Sequence, residues 1–187
     1  ISLGLVGSEM CIRDSLRAAH TDDAAVQFHA LGVLLAALPR MDVEAPGLSL
    51  IDAREWLLHA ALERMRAAAP WPAYVRTRHY RAIVLLSQRV GGLHVRGDPS
   101  PLLALGQHAV SLLASDEACV TVGLALAEAL AVELNQSASG DRAPVGLSAA
   151  EHVWCHALIE VHVLPTLVPA VLHALRTAIE AGRAVPA

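Results

Sequence analysis

The fold class is indicated most clearly by the stretch from Pro101 to Leu134, PLLALGQHAVSLLASDEACVTVGLALAEALAVEL. Two runs rich in Ala, Leu and Val are separated by a short polar turn, Ala114-Ser115-Asp116. Apolar residues recur at helical spacing on both sides of the turn, and Ala and Leu are strong helix formers. The stretch therefore predicts two apolar helices joined by a tight turn, and it contains no nucleophile–base pair and no phosphate-binding loop.

The composition of the whole chain favours the same fold class. Of 187 residues, 55% are hydrophobic, 17% are charged and only 3% are aromatic. A core of Ala, Leu and Val favours closely packed helices, and this length suits one domain. The net charge of −4 argues against a nucleic-acid partner, which requires a concentrated basic face. Three cysteines imply no disulfide framework, so an intracellular, cytoplasmic location is predicted.

Two segments are apolar enough to raise the question of a membrane span. Residues 118–134 contain Glu128 and Glu133, and residues 157–175 contain Glu160 together with histidines and two prolines. Neither segment offers the roughly 20 clean apolar residues that a spanning helix needs. Buried helices, with no membrane span, are therefore predicted.

The first fifteen residues differ in character from the rest of the chain. The run LVGSEMCIRDS, which starts at Leu5, resembles the translated read-through of a sequencing-library adapter. This resemblance implies that residues 1–15 are a non-native segment, so Cys11 is given no functional weight. It also implies that residues 16–187 are a helical domain cut from a longer protein.

The sequence predicts six or seven antiparallel helices and no strand. The first begins with a cap at Thr21 or Asp22 and ends at Pro39. Ser148 and Glu151 form the S-x-x-E pattern of a capping box. Breaks between helices are predicted at Pro39 to Leu48, Pro70 to Pro72, Gly91 to Pro101, Ala114 to Asp116, Asn135 to Gly146 and Pro165 to Pro169.

Three places resemble the helical units of HEAT and armadillo repeats. The run from Asp23 to Leu34 is similar to the second helix of a HEAT unit, although Gln27 stands where that family usually has arginine. The opening stretch is similar to an armadillo-type helix, turn and helix, and the run from Leu164 to Pro169 resembles the proline-bearing first helix of a HEAT unit. The resemblance implies an α-α superhelix that acts as a protein-binding scaffold. A closed helical bundle is the alternative fold.

One segment has the spacing of a metal site. His152, His156 and Glu160 fall four residues apart, so on a helix they share one face, opposite an apolar stripe that includes Val153 and Val161. Zinc accepts histidines at this spacing, but it requires three or four ligands. A partly solvated polar face is the preferred interpretation, and no metal or other cofactor is predicted. A helical-bundle enzyme or metal-binding domain centred on His152 and His156 is the alternative function.

The third predicted helix is the most basic part of the chain. Arg78, Arg81 and Arg89 lie with Gln88 on one arc, which is either an ordinary solvated face or a binding surface for an acidic peptide or phosphate group. His79 falls on the apolar side and is predicted to be a buried, hydrogen-bonded histidine.

An aromatic side chain on the second predicted helix is the remaining candidate. Trp56 lies opposite the apolar stripe of that helix, where it could anchor a partner or pack against a neighbouring helical unit. Together with the repeat-like helices, these residues predict a non-catalytic scaffold or adaptor segment. Its partners would be proteins, including acidic peptides, bound through Arg78, Arg81, Arg89 and Trp56.

Overall fold

The computed structural model describes residues 23–38, 50–66, 71–93, 100–135 and 148–182. These residues form seven helices and no strand, which confirms the all-α class. The adapter-like segment lies outside the described residues. In chain order the helices are α1 (Ala24–Ala37), α2 (Leu50–Arg66), α3 (Ala73–Leu93), α4 (Ser100–Leu113), α5 (Glu117–Asn135), α6 (Ala149–His162) and α7 (Leu164–Glu180).

Side-chain caps fix the starts of α1 and α6. Asp23 caps α1, its Oδ1 accepting hydrogen bonds from the backbone N–H groups of Ala25 and Val26 at 2.8 and 3.2 Å. The residues expected to cap α1, Thr21 and Asp22, lie outside the described residues. The capping box on α6 is confirmed, because Ser148 Oγ accepts from the Glu151 N–H while Glu151 Oε2 accepts from the Ser148 N–H.

Helix α3 occupies the centre of the molecule. Eight consecutive residues, from Ala82 to Arg89, are buried, so this part of α3 has no face toward solvent. The helices packed against α3 are α1, α2, α4, α5 and α6. A helix buried on all sides is the core element of a domain rather than an amphipathic surface helix.

The opening stretch of the sequence forms the predicted hairpin of α4 and α5. The turn at Ala114-Ser115-Asp116 is confirmed, and Asp116 caps α5 through a 2.9 Å bond from the Cys119 N–H to its Oδ1. Gly123 on α5 lies against α4, since a Cβ at that position would be 3.2 Å from the Ala109 carbonyl oxygen. The small residue lets the two helices approach closely enough to share one apolar core.

Helices α6 and α7 meet at a sharp corner. The chain bends by 61° at Val163, and Pro165 stands in the first turn of α7, where its missing N–H is tolerated. Pro169 lies inside α7 without dividing it. The buried side chain of Val163 packs against Gly106 of α4, where an added Cβ would lie 2.4 Å from Val163 Cγ1.

No single described helix is long and apolar enough to cross a membrane. Helices α6 and α7 taken together reach that length and composition, across their bend.

Candidate functional site

Most of the predicted arginine arc on α3 makes contacts within the folded protein. Arg78 Nη1 donates a 2.9 Å hydrogen bond to the Phe28 carbonyl oxygen of α1. The guanidinium Cζ also lies 3.5 Å from the centroid of the Phe28 ring, a cation–π arrangement. Arg78 therefore links α1 to α3, and replacing it would disturb their packing as well as any surface charge.

The expectation that this arc is exposed is wrong at its C-terminal end. Arg89 is only 9% exposed and Gln88 only 1%. Both belong to the segment of α3 that neighbouring helices surround, so neither can form part of a solvated face or a docking surface. The helical wheel of α3 separates its polar arc from its apolar arc, but it contains no information about which other helices will cover the polar one.

Arg81 is the member of the arc that reaches a cavity. Its Nε lies 2.7 Å from Oε1 of Glu133 on α5, and the Arg81 side chain keeps 43% of its surface exposed. Glu133 itself is buried, and its Oε2 has no hydrogen-bond partner among the described residues. Burial raises the pKa of the Glu133 carboxyl group, and the positive charge of Arg81 opposes that rise.

The cavity beside this ion pair has a volume of about 380 Å³ and lies between α3, α5 and α7. Its polar lining includes Arg76 and Arg81 from α3 and Glu128 and Glu133 from α5. Glu133 is the residue that the sequence analysis missed as part of a site. The available signal is the Glu133 carboxylate within the apolar run from Leu124 to Leu134.

The predicted burial of His79 is confirmed. Its ring is 1% exposed, and its Nε2 donates to the Leu57 carbonyl oxygen of α2 over 2.7 Å. The ring also lies against Trp71, with 4.5 Å between centroids. Burial lowers the pKa of His79 to about 4, despite the backbone hydrogen bond, which favours the charged form. His79 is therefore neutral near pH 7 and links α2 to α3.

Trp56 lies apart from the arginines. It is half-buried against the core, and it lines an open groove of about 820 Å³ between α2 and α4. His59, Leu62 and His108 line the same groove. The structure therefore does not bring Trp56 together with Arg78, Arg81 and Arg89 into one surface, and each predicted binding residue has a separate environment.

The metal-spaced segment on α6 is divided between two environments. His152 and Cys155 are buried, whereas His156 and Glu160 are exposed, with 3.6 Å between Nδ1 and Oε2. Burial, with a smaller contribution from the charge of Glu151, raises the pKa of the Cys155 thiol to about 11, so it stays protonated near neutral pH. Across the described ranges, no group of three or more His, Cys, Asp or Glu side chains is arranged to hold a metal ion.

The orientation of α6 differs from the expectation. Its buried residues are His152, Cys155 and Ile159, while Val153 and Val161 of the expected apolar stripe are 65% and 64% exposed. The helix packs through a face that contains His152 of the expected polar side, while His156 and Glu160 of that side are exposed. Its valines are left toward solvent because α6 is apolar on several sides, and its neighbours determine which side is covered.

Comparisons with protein-family models, with curated proteins and with solved structures found no match to this chain. The HEAT and armadillo resemblance therefore stays a prediction.

Proposed function

We propose that this chain is a non-catalytic helical module that binds another protein through exposed apolar side chains on α6 and α7. The observation that carries this proposal is the exposure of large apolar residues on both helices. Val153 and Val161 on α6, and Val168, Leu172 and Ile179 on α7, are each between 49% and 66% exposed. Contiguous apolar surface on a folded protein marks interaction sites, and the exposed residues of α7 lie along one side of that helix.

The spacing of residues on α7 indicates the kind of partner. Val168, Leu172, Leu175 and Ile179 follow the i, i+4, i+7, i+11 pattern, which places them along one stripe of the helix. The stripe is about 16 Å long at the usual rise of an α-helix. This pattern suits the apolar face of an amphipathic helix from another protein. An acidic peptide has less support, because Arg78 and Arg81 already contact Phe28 and Glu133.

The fold that we propose for this module is a closed bundle around α3. The eight-residue buried run of α3 supports it, because helices in an open superhelix contact only neighbouring units and keep a face toward solvent. A closed bundle also removes the extended concave surface that a superhelical scaffold would use. Binding would then depend on the outer helices, which is where the exposed apolar stripes lie.

Photo-crosslinking in cells that produce the protein tests the binding face. A photoreactive phenylalanine analogue would replace Leu172 on α7 in one variant. In the control variant it would replace Gln107, which is exposed on α4. We expect a discrete protein adduct from position 172 and none from position 107.

Two results would contradict the proposal. Identical adducts from both positions would show contact without a specific face. Adducts only with lipid at position 172 would assign the apolar stripe to a membrane surface instead of a protein. Circular dichroism of both variants would establish that the substitutions leave the helical fold intact.

A further inference from the structure

A further cavity lies between α7 and the turn that joins α4 to α5. Its volume of about 420 Å³ is within the roughly 300 to 1,000 Å³ typical of small-molecule sites. It meets the cavity beside Arg81 at Thr121 and Leu124, which line both. Apolar side chains form much of its wall, namely Leu113, Val120, Leu124, Ala174 and Ala178. This wall can cover the apolar part of a small ligand.

Three hydroxyl-bearing side chains that line the cavity can act only as acceptors for a ligand. They belong to Ser115, Thr121 and Thr177. Each hydroxyl donates its hydrogen to the backbone carbonyl oxygen four residues earlier in the chain, over 2.9 to 3.0 Å. A hydroxyl group has one hydrogen to donate, so only its lone pairs remain available to a ligand. A ligand that brings donors therefore fits these side chains better than one that brings only acceptors.

One carboxylate sets the sign of the charge at this cavity. Glu117 is exposed and lines it, whereas no arginine among the described residues does. The C-terminus of α4 and the N-terminus of α5 meet at the same turn, and their opposite partial charges offset each other. Glu117 and Thr121 are about one turn apart on one face of α5, so a single donor group can contact both. A primary ammonium group has three N–H donors, no acceptor and a positive charge, which matches this set.

We propose that this cavity binds a small molecule that carries a primary ammonium group on an apolar body. The ammonium group donates to the Glu117 carboxylate and to Thr121 Oγ1, and the apolar body lies against Leu124 and Ala178. None of the residues of the exposed stripe on α7 lines this cavity. Thr177, on the cavity side, lies about 180° around the helix from Val168 of the stripe. Binding of the amine is therefore a second activity beside the proposed protein binding.

Three probes with the same apolar body test the head group. They are 2-naphthylmethylamine, 2-naphthalenemethanol and 2-naphthoate, which are cationic, neutral and anionic near pH 8. This pH is chosen because unperturbed histidines are neutral there, and His173 lines the cavity. Ligand-observed NMR with the intact chain would measure the dissociation constants, and we expect a Kd of about 1 mM or lower for the amine. The alcohol should bind about threefold to fivefold more weakly, as for an exposed ion pair, and the naphthoate should bind most weakly.

Two pairs of substitutions locate the site. Glu117→Gln should raise the Kd of the amine to that of the alcohol and leave the Kd of the alcohol within about twofold. Glu128→Gln is its matched control, because Glu128 is exposed on the same helix and lines the cavity beside Arg81 instead. Ala178→Leu fills the cavity and should weaken all three probes at least about threefold. Ala181→Leu, at the exposed end of α7 and outside the cavity lining, should not. Circular dichroism of each variant would check that the helical fold is intact.

The proposal is overturned if the alcohol or the naphthoate binds as tightly as the amine, or if no probe binds at millimolar concentration. It is also overturned if Ala178→Leu and Ala181→Leu have the same effect. A preference for the amine that Glu117→Gln leaves unchanged and Glu128→Gln removes would place the amine beside Arg81, which would overturn the proposal as well. None of these measurements depends on a crosslink at Leu172, so the two proposals are tested separately.

Discussion

Gly106 is the position at which a single methyl group should have a measurable effect on the fold. It lies on α4 beneath the corner between α6 and α7, where an added Cβ would be 2.4 Å from Val163 Cγ1 and 2.7 Å from Val163 Cγ2. Optimal carbon–carbon contacts are about 3.5 to 4.0 Å, so Gly106→Ala requires the corner to move by about 1 Å. Both methyl groups belong to one buried β-branched side chain, which has little freedom to turn aside.

The magnitude follows from two opposing effects. Alanine in place of glycine favours the helical state of α4 by about 1 kcal/mol. Overpacking of a buried contact costs about 1 to 3 kcal/mol, and the severity of this overlap places it toward the upper end. We therefore expect Gly106→Ala to lower the free energy of unfolding by about 1 to 2 kcal/mol, measured by urea denaturation followed by circular dichroism.

A double-mutant cycle identifies the contact. Val163→Ala alone should cost about 1.5 kcal/mol, because it removes two buried methyl groups. In the Gly106→Ala background the same substitution should cost less or become stabilising, giving a coupling of about 1 kcal/mol or more. Gly123→Ala is the graded control, since its nearest side-chain contact would be a milder 3.0 Å to Leu113 Cγ. The reasoning is refuted if Gly106→Ala is not destabilising and Val163→Ala costs the same in both backgrounds.

Two further predictions concern side chains that join helices. The pKa of His79 is about 4 in the folded chain and 6.5 when unfolded, so the unfolded state binds more protons as the pH falls. Stability should therefore decrease from pH 6.5 to pH 4, by about 3 kcal/mol in total. Urea denaturation across this range should show a shallower slope for His79→Gln, and an unchanged slope would contradict the assignment. Arg78→Lys should lower stability by about 1 to 2 kcal/mol, because lysine loses the planar contact with Phe28. Arg176→Lys, on the exposed face of α7, should change it by less than about 0.5 kcal/mol, and equal losses would refute the Arg78 contact.

The sequence predicted which segments form helices better than it predicted which side of each helix is buried. The helices, the α4–α5 turn, the capping box at Ser148 and the burial of His79 depend on local patterns, and all are found among the described residues. The orientation of α6 was wrong because its apolar residues occur on more than one side of the helix. Local periodicity then cannot select the buried face, which depends on the shape of α3 and α4.

The candidate sites were harder to predict for the same reason. Arg78 and Arg81 were predicted to share one arc of α3, but their partners, Phe28 and Glu133, come from helices distant in sequence. The cavity exists only where α3, α5 and α7 meet. The pairing of Arg81 with Glu133 beside it therefore could not be derived from the spacing of residues within any one helix.

The central position of α3 determines how the domain should lose its structure. Outer helices such as α7 can open locally while the rest of the domain stays folded. The segment from Ala82 to Arg89 cannot open locally in this way, because its backbone becomes accessible only when the surrounding helices separate. Amide protons in this segment should therefore be the slowest in the domain to exchange with deuterium, at rates set by global unfolding. The exchange rate of amide protons in α3 would then measure how cooperatively the helices of the domain unfold.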